Sequence, residues 1–274
     1  MPFRNLGMDH SVKEKKQECS FYLFTFLLFL LFKNGTMIDI TVDFETCSLS
    51  PTAAVMSVGA VAWKRYDTEN PFFEKSDGLL RYPTYSAHVD LRSCFLNGFT
   101  FDQSTADWWA KQSDEAKAAL LANDSDDNPC LPIDVVITEL LDWMKDIQKS
   151  LGDTDLCLWA QGSDFDIAIL RYICYKLGIE FSVRHTQFRD HRTYYLEGAR
   201  FLWELNKALD HDRVPFSVEW AYKQTQDYKD ITDEGAAHDP IFDCRRSIYS
   251  TWQMMKRLRE FPIRLSEAKN ATAT

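Results

Sequence analysis

The sequence predicts one α/β domain in which a mixed sheet forms early in the chain and helices pack on it. Three observations predict it. Residues 38–46 and 54–63 are rich in β-branched, aromatic and small apolar residues, and a short Ser/Pro turn joins them as it would two antiparallel strands. Later segments, 133–149 above all, repeat apolar residues at helical spacing. No internal repeat, low-complexity segment or Gly/Ser linker divides the chain.

Composition sets outer bounds. The chain has 274 residues, 45% hydrophobic and 14% aromatic, enough for a substantial core and against global disorder. The formal net charge of −10 excludes a protein that lives mainly by neutralising phosphates. It leaves room for one that grips a few nucleotides around metal ions. The seven cysteines are widely spaced and contain no CxxC pair, which argues against a disulfide framework or a structural zinc site and for a reducing, cytoplasmic setting.

Residues 1–36 read as an extension the fold does not need. Lys13, Lys15 and Lys16 precede an apolar run from Phe21 to Phe32, broken only by Thr25. Twelve residues fall short of the roughly 20 of a membrane-spanning helix. The charged and apolar segments fit a signal peptide, but Lys33-Asn34-Gly35-Thr36 is a poor cleavage site. No stable membrane partner is expected.

From Met37 the elements follow in order. The first strand, Ile38 to Thr46, exits into Cys47-Ser48-Leu49-Ser50-Pro51. The second covers 54–63 with Gly59 inside, residues 65–84 are irregular, and a third strand at 85–91 completes a meander. Ser104 or Thr105 caps a short helix to Gln112, and Ser113 to Leu121 forms another. An acidic loop, 122–132, leads to the amphipathic helix at 133–149. Residues 156–160 read as a short buried strand, 165–177 as a helix stopped by Gly178, and 193–209 as a further helix. A polar insertion at 210–235 precedes the last helix, Pro240 to about Glu260, and 261–274 read as a frayed tail. The folded domain is expected over 37–260.

Asp43 and Glu45 point to one face of their strand, Val42 and Phe44 to the other. Paired carboxylates at an apolar strand end resist desolvation unless a cation joins them, yet acids at strand ends are also common. Asp166 lies four residues before Leu170, on the stripe that continues through Ile173 and Leu177, so it aims inward rather than only capping. Asp239 suits an N-cap and Pro240 a first helical residue, which leaves His238 on the loop and Asp243 in the first turn. Taken alone, that last segment is an ordinary capped helix start.

The joint pattern carries more. Asp43-x-Glu45, then Phe165-Asp166-x-x-x-Leu170, then His238-x-x-x-x-Asp243 resembles the DEDDh branch of the DnaQ-like 3′–5′ exonucleases. Thr105-Ala106-Asp107-Trp108-Trp109-Ala110-Lys111-Gln112-Ser113 and Arg189-Asp190-x-Arg192-Thr193 are similar to segments of the subgroup containing phage exonuclease A and the mycobacterial exoribonuclease-like proteins. The likeness covers about Met37 to Arg259. Many members carry Asn where Gly162 stands, so a hydrogen bond to substrate is missing or made differently here.

The resemblance implies an RNase H-like mixed sheet, an antiparallel meander plus parallel strands, flanked by helices. It implies a hydrolase that releases nucleoside 5′-monophosphates from a 3′ end of RNA or DNA by a two-metal mechanism. Asp43, Glu45, Asp166 and Asp243 would bind two divalent cations, Mg²⁺ or Mn²⁺, which prefer oxygen ligands, and His238 would be the general base. Candidate substrate contacts are Thr46, Leu49, Trp108, Trp109 and Arg192. Trp108 and Trp109 lie about 100° apart on a helix, so both cannot face one core equally; one is expected inside, and the other either stacks on a base or simply packs in the core. Arg189 and Arg192 either hold phosphate or pair with Asp190, the ion pair being favoured. Expected partners are single-stranded or 3′-overhanging nucleic acids, and a homodimer is compatible with the sequence. The competing readings are a catalytically silent end-binding module and a polymerase proofreading subunit.

Overall fold

Alternation along the first strand assigns the two faces of the sheet. In β1 (Ile38–Thr46), Ile38, Ile40, Val42 and Phe44 are buried on one side, while Asp39, Thr41, Asp43 and Glu45 lie on the other. The computed structural model describes residues 37–72, 84–120, 129–152, 155–208, 217–219 and 238–271.

After β1 come β2 (Val55–Trp63), β3 (Thr84–Val89), α1 (Leu91–Leu96), α2 (Gln103–Trp109), α3 (Asp114–Leu120), β4 (Cys130–Leu131) and α4 (Ile133–Ser150). Then follow β5 (Leu156–Ala160), a π-helical turn (Ser163–Ile167), α5 (Ala168–Leu177), β6 (Phe188–Asp190), α6 (His191–Ala208) and α7 (Pro240–Ala271). The sheet order is β4-β3-β2-β1-β5-β6. β1–β2 and β2–β3 are antiparallel, whereas β1–β5, β5–β6 and β3–β4 are parallel. This is the mixed sheet the resemblance implied, with β1 central and therefore covered on both faces.

On the even-residue face, Ile133, Val136, Ile137, Leu140 and Met144 of α4 and Leu170 and Ile173 of α5 join Ile40, Val42 and Phe44 in the main core. On the odd-residue face, Cys244, Ile248, Trp252 and Met255 of α7 pack on Val61, Trp63 and Trp159. Gly59, opposite Asp43, lets α7 come this close, because a Cβ there would stand 2.6 Å from Pro240 Cβ and 2.7 Å from its carbonyl carbon. On the odd-residue face, against Trp63 and Trp159, buried His191 bridges Thr41 Oγ1 (2.9 Å) and Thr251 Oγ1 (2.7 Å), joining β1, α6 and α7.

Several elements differ from expectation. Leu91 begins a helix instead of ending a strand, because Asp90 accepts from Arg92 N and caps α1. Asp102, rather than Ser104 or Thr105, caps α2. Two short edge strands add to expectation: β4 lies in the stretch expected as an acidic loop and β6 in one with no expected element, since two or three residues show no periodicity. α6 starts at His191, two residues early. α7 runs through Pro262 to Ala271 instead of fraying. Proline removes one N–H from the ladder there, and the good helix formers downstream (Arg264, Leu265, Glu267, Ala268) carry it on. The apolar run at 21–32 and most of the expected insertion at 210–235 lie outside the described residues. Among those described, no helix is long and apolar enough to cross a membrane.

Candidate active site

Four chain segments meet at the C-terminal end of β1. Asp43 and Glu45 share its odd-residue face, opposite Gly59 and Ser57 of β2. Asp166 comes from the π-helical turn that follows β5. Its Oδ1 accepts a hydrogen bond from Phe44 N at 3.1 Å, so the side chain is only 3% exposed and docked on the β1 backbone. The inward aim of Asp166 follows from its sequence position, but the π geometry does not. Asp239 caps α7 through Oδ1 to Ile241 N (2.9 Å) and Phe242 N (3.1 Å), which places Asp243 in the first turn.

His238 stands just before this cap with φ 70°, the left-handed region. Its backbone N–H donates to Asp243 Oδ2 at 3.1 Å, and its ring Nδ1 lies 3.8 Å from Glu45 Oε1. Glu45, His238 and Asp243 each present a ligand atom within 4.8 Å of the other two. Both tryptophans reach the histidine: the ring centroids of Trp108 and Trp109 lie 5.0 and 5.2 Å from that of His238, in edge-to-face arrangements. Both rings thus frame His238, a shared contact that their spacing on the helix did not predict. Trp109 Nε1 also donates to Thr46 O at 3.1 Å, while Trp108 remains 45% exposed.

The electrostatics are those of crowded acids. Burial first, then Asp166, Glu45 and Asp243, push the Asp43 carboxyl well above its ordinary range. Burial, Asp243 and Asp166 push Glu45 to about 8. Burial lifts Asp166 to about 7 against the Phe44 hydrogen bond and the nearby charge of Arg192. Burial also raises Asp243, opposed by Arg246.

The residues fit divalent cations. Their donor set is oxygen with one imidazole, and protons or cations are needed to relieve the repulsion. Asp243 Oδ1 is buried without a hydrogen bond, although Arg246 Nη2 forms an ion pair with it at 3.1 Å.

The other candidates divide. Thr46 is buried, with Oγ1 donating to Ser48 O at 2.7 Å, so its side chain is already committed. Leu49 is 78% exposed on the following turn. Arg192 is exposed and acts on Asp166 through charge. Asp190 does not pair with Arg189 or Arg192; its carboxylate accepts from Ser163 N and Thr193 N at 2.7 Å each, fixing the π-helical turn and α6. Arg189 donates instead to the carbonyls of Thr186 and Phe188. Sequence reading missed Arg246, whose only signal is its place one turn after Asp243, and the role of Gly59.

A family model described as the 3′–5′ exoribonuclease Rv2179c-like domain matches residues 38–248. No curated protein matches the chain. Among solved structures, cell-death related nuclease 4 (CRN-4) is similar at 15% identity and TM-score 0.46, over 80% of this chain and 63% of that one. The nuclease domain of 3′hExo, a DEDDh family member bound to rAMP, is similar at 14% identity and TM-score 0.43, over 80% and 92%. The zinc-bound E. coli ExoI–ssDNA complex is similar at 12% identity and TM-score 0.36, over 85% and 42%. The chain thus spans less than two thirds of CRN-4 and less than half of ExoI.

Proposed function

Because the chain belongs to the Rv2179c-like 3′–5′ exoribonuclease domain family, we propose that it hydrolyses the terminal phosphodiester at the 3′ end of RNA and releases nucleoside 5′-monophosphates. The observation that carries this reading is the meeting of Asp43, Glu45, Asp166 and Asp243 beside His238, with three of the carboxyls strongly pressed toward their protonated forms by burial and one another. These four acids would hold two divalent cations, Mg²⁺ or Mn²⁺. Bound there, such ions neutralise the carboxylates, acidify an attacking water and stabilise charge on the phosphate.

The chain's own groups act around that centre. The imidazole of His238 takes the proton of the attacking water. Glu45 and the two tryptophan rings hold the imidazole in place. The exposed ring of Trp108 and the side chain of Leu49 offer apolar surface to the terminal bases. Arg192 supplies positive charge near Asp166 that a phosphate can use. The substrate is a single-stranded or 3′-overhanging end, residues 37–260 carry the activity, and the setting is cytoplasmic.

The test uses the full chain with 5′-labelled single- and double-stranded RNA and DNA in Mg²⁺, Mn²⁺ or chelator. A ladder shortening from the 3′ end, faster on RNA and absent in chelator, is expected. Folded Asp43→Asn or His238→Ala protein hydrolysing at the wild-type rate would overturn the reading, and binding of ends without turnover would identify a silent end-binding module.

A further inference from the structure

Away from the carboxylates, a cavity of about 300 Å³ opens where β5, β6 and the start of α6 meet the middle of α7. It lies on the same odd-residue face of the sheet as the active site. Along β1, Asp39 precedes Asp43 by four residues, about 13 Å of strand. Three arginines line it, Arg65, Arg189 and Arg259, together with Tyr66, Trp159 and Tyr194.

One acid lies behind this wall. Asp39 is buried beneath Arg65, accepting from Arg65 Nε at 3.0 Å and also from Arg65 Nη2 and Trp159 Nε1 (2.6 Å). Arg65 is thereby fixed, its guanidinium 5.0 Å from the Trp159 ring centroid and 5.6 Å from that of Tyr66. Arg189 anchors one terminal nitrogen on the carbonyls of Thr186 and Phe188. Among the described residues, no carboxylate forms an ion pair with Arg189 or Arg259. Three positive charges against one negative charge leave a surplus of two, in a chain whose formal net charge is −10.

Guanidinium groups recognise phosphate oxygens in a fork geometry, and their planes and phenol rings accept a flat heterocycle. A cavity of this size is at the lower end of small-ligand pockets, suited to one nucleotide rather than a duplex. We propose that this pocket is a second nucleotide site, which binds a phosphate through Arg189 and Arg259 and stacks its base against the aromatic wall around Arg65. The natural ligand is either a free nucleoside 5′-monophosphate or an upstream nucleotide of the strand being degraded. Only that identification rests on the exonuclease reading; the pocket's affinity for nucleotides does not.

The probe is AMP, titrated calorimetrically into the full chain in chelator, where the carboxylate centre has no cation with which to hold a phosphate. Saturable binding is expected, weakened at least ~10-fold in Arg259→Ala and in Arg189→Ala, partly restored in Arg259→Lys, and preserved in Asp43→Asn. Arg259 is exposed, so its replacement leaves the fold intact, which circular dichroism checks. Inorganic phosphate should compete with AMP.

Kinetics then distinguish the sources. If the pocket takes the upstream strand, Arg259→Ala raises KM for a 12-nucleotide RNA while hydrolysis of a dinucleotide is unchanged. If it takes free nucleotide, KM is unchanged for both and AMP binding alone is lost. Absence of saturable AMP binding, or binding that Arg259→Ala and Arg189→Ala leave intact, overturns the proposal. Dinucleotide hydrolysis reads the carboxylate site separately, so failure of the second site and failure of the exonuclease reading give different results.

Discussion

Asp43 is surrounded by three other acids, and burial adds to their repulsion in holding its carboxyl well above the ordinary range. Without cations, that arrangement costs stability, because each added negative charge in the cluster is desolvated and opposed. Replacing Asp43 by Asn removes one charge and nearly preserves shape. The metal-free variant should therefore melt at a higher temperature than the wild type, lose most of the melting-temperature rise that Mn²⁺ produces, and hydrolyse RNA at least ~100-fold more slowly, as expected when a ligand itself is removed. Scanning calorimetry with and without Mn²⁺, beside an activity assay, checks all three. An unchanged response to Mn²⁺ would remove Asp43 from the ligand set. His238 illustrates a different restraint. Its positive φ is tolerable for histidine but not neutral, and the Asp243 carboxylate that accepts its N–H holds the loop in that conformation.

Helix α7 brings Asp243 to the sheet, with His238 on the loop just before it, and its seat is set by a position with no side chain. Gly59 lies across the ladder from Asp43, and a methyl group there would meet the Pro240 backbone, which cannot rotate away. Gly59→Ala should cost about 1–3 kcal/mol by overpacking and displace the start of α7. Hydrolysis should fall together with stability, although no carboxylate has changed. Chemical denaturation and steady-state kinetics on the same preparation test this. Retention of both stability and rate would show that α7 can shift without moving Asp243 out of reach. The same position marks the limit of the sequence as a guide. Asp43, Glu45 and Asp166 were legible because strand alternation and helical spacing are local rules. Asp239 was legible as a cap because caps act within three residues. The role of Gly59 and the contact of Trp109 with His238 were not, since they depend on which distant backbone or ring arrives opposite them. Edge strands β4 and β6 escaped for a related reason: two or three residues become a strand only because a neighbouring strand is already there.

At the scale of the whole molecule, the site and the fold are coupled through protons. Burial and neighbouring acids raise Glu45 to about 8 and Asp166 to about 7 in the folded chain, against about 4 in an unfolded one. The folded state thus binds protons more tightly than the unfolded state. The associated stability is fully present below about pH 4 and is lost as pH rises through 7 and 8. Neutral, buried His191 works in the opposite sense. Burial lowers it to about 3, so its contribution is complete above about pH 6.5 and declines as pH falls toward 3. Between pH 8.5 and 6.5 the carboxylates therefore act without opposition from His191. The metal-free protein should gain about 1–2 kcal/mol across that window as pH is lowered, a figure bounded by ~1.4 kcal/mol per pH unit for each titrating group. Divalent cations occupying the carboxylates replace the missing protons, so the gain in melting temperature from Mn²⁺ should grow from pH 6.5 to 8.5 and the slope of the metal-loaded protein should flatten. Thermal unfolding of the full chain at four pH values, with chelator and with Mn²⁺, reads both effects. A metal-free protein that becomes more stable as pH rises across this window would mean that the acids are already relieved within the fold. The crowding that motivates the metal centre would then be absent.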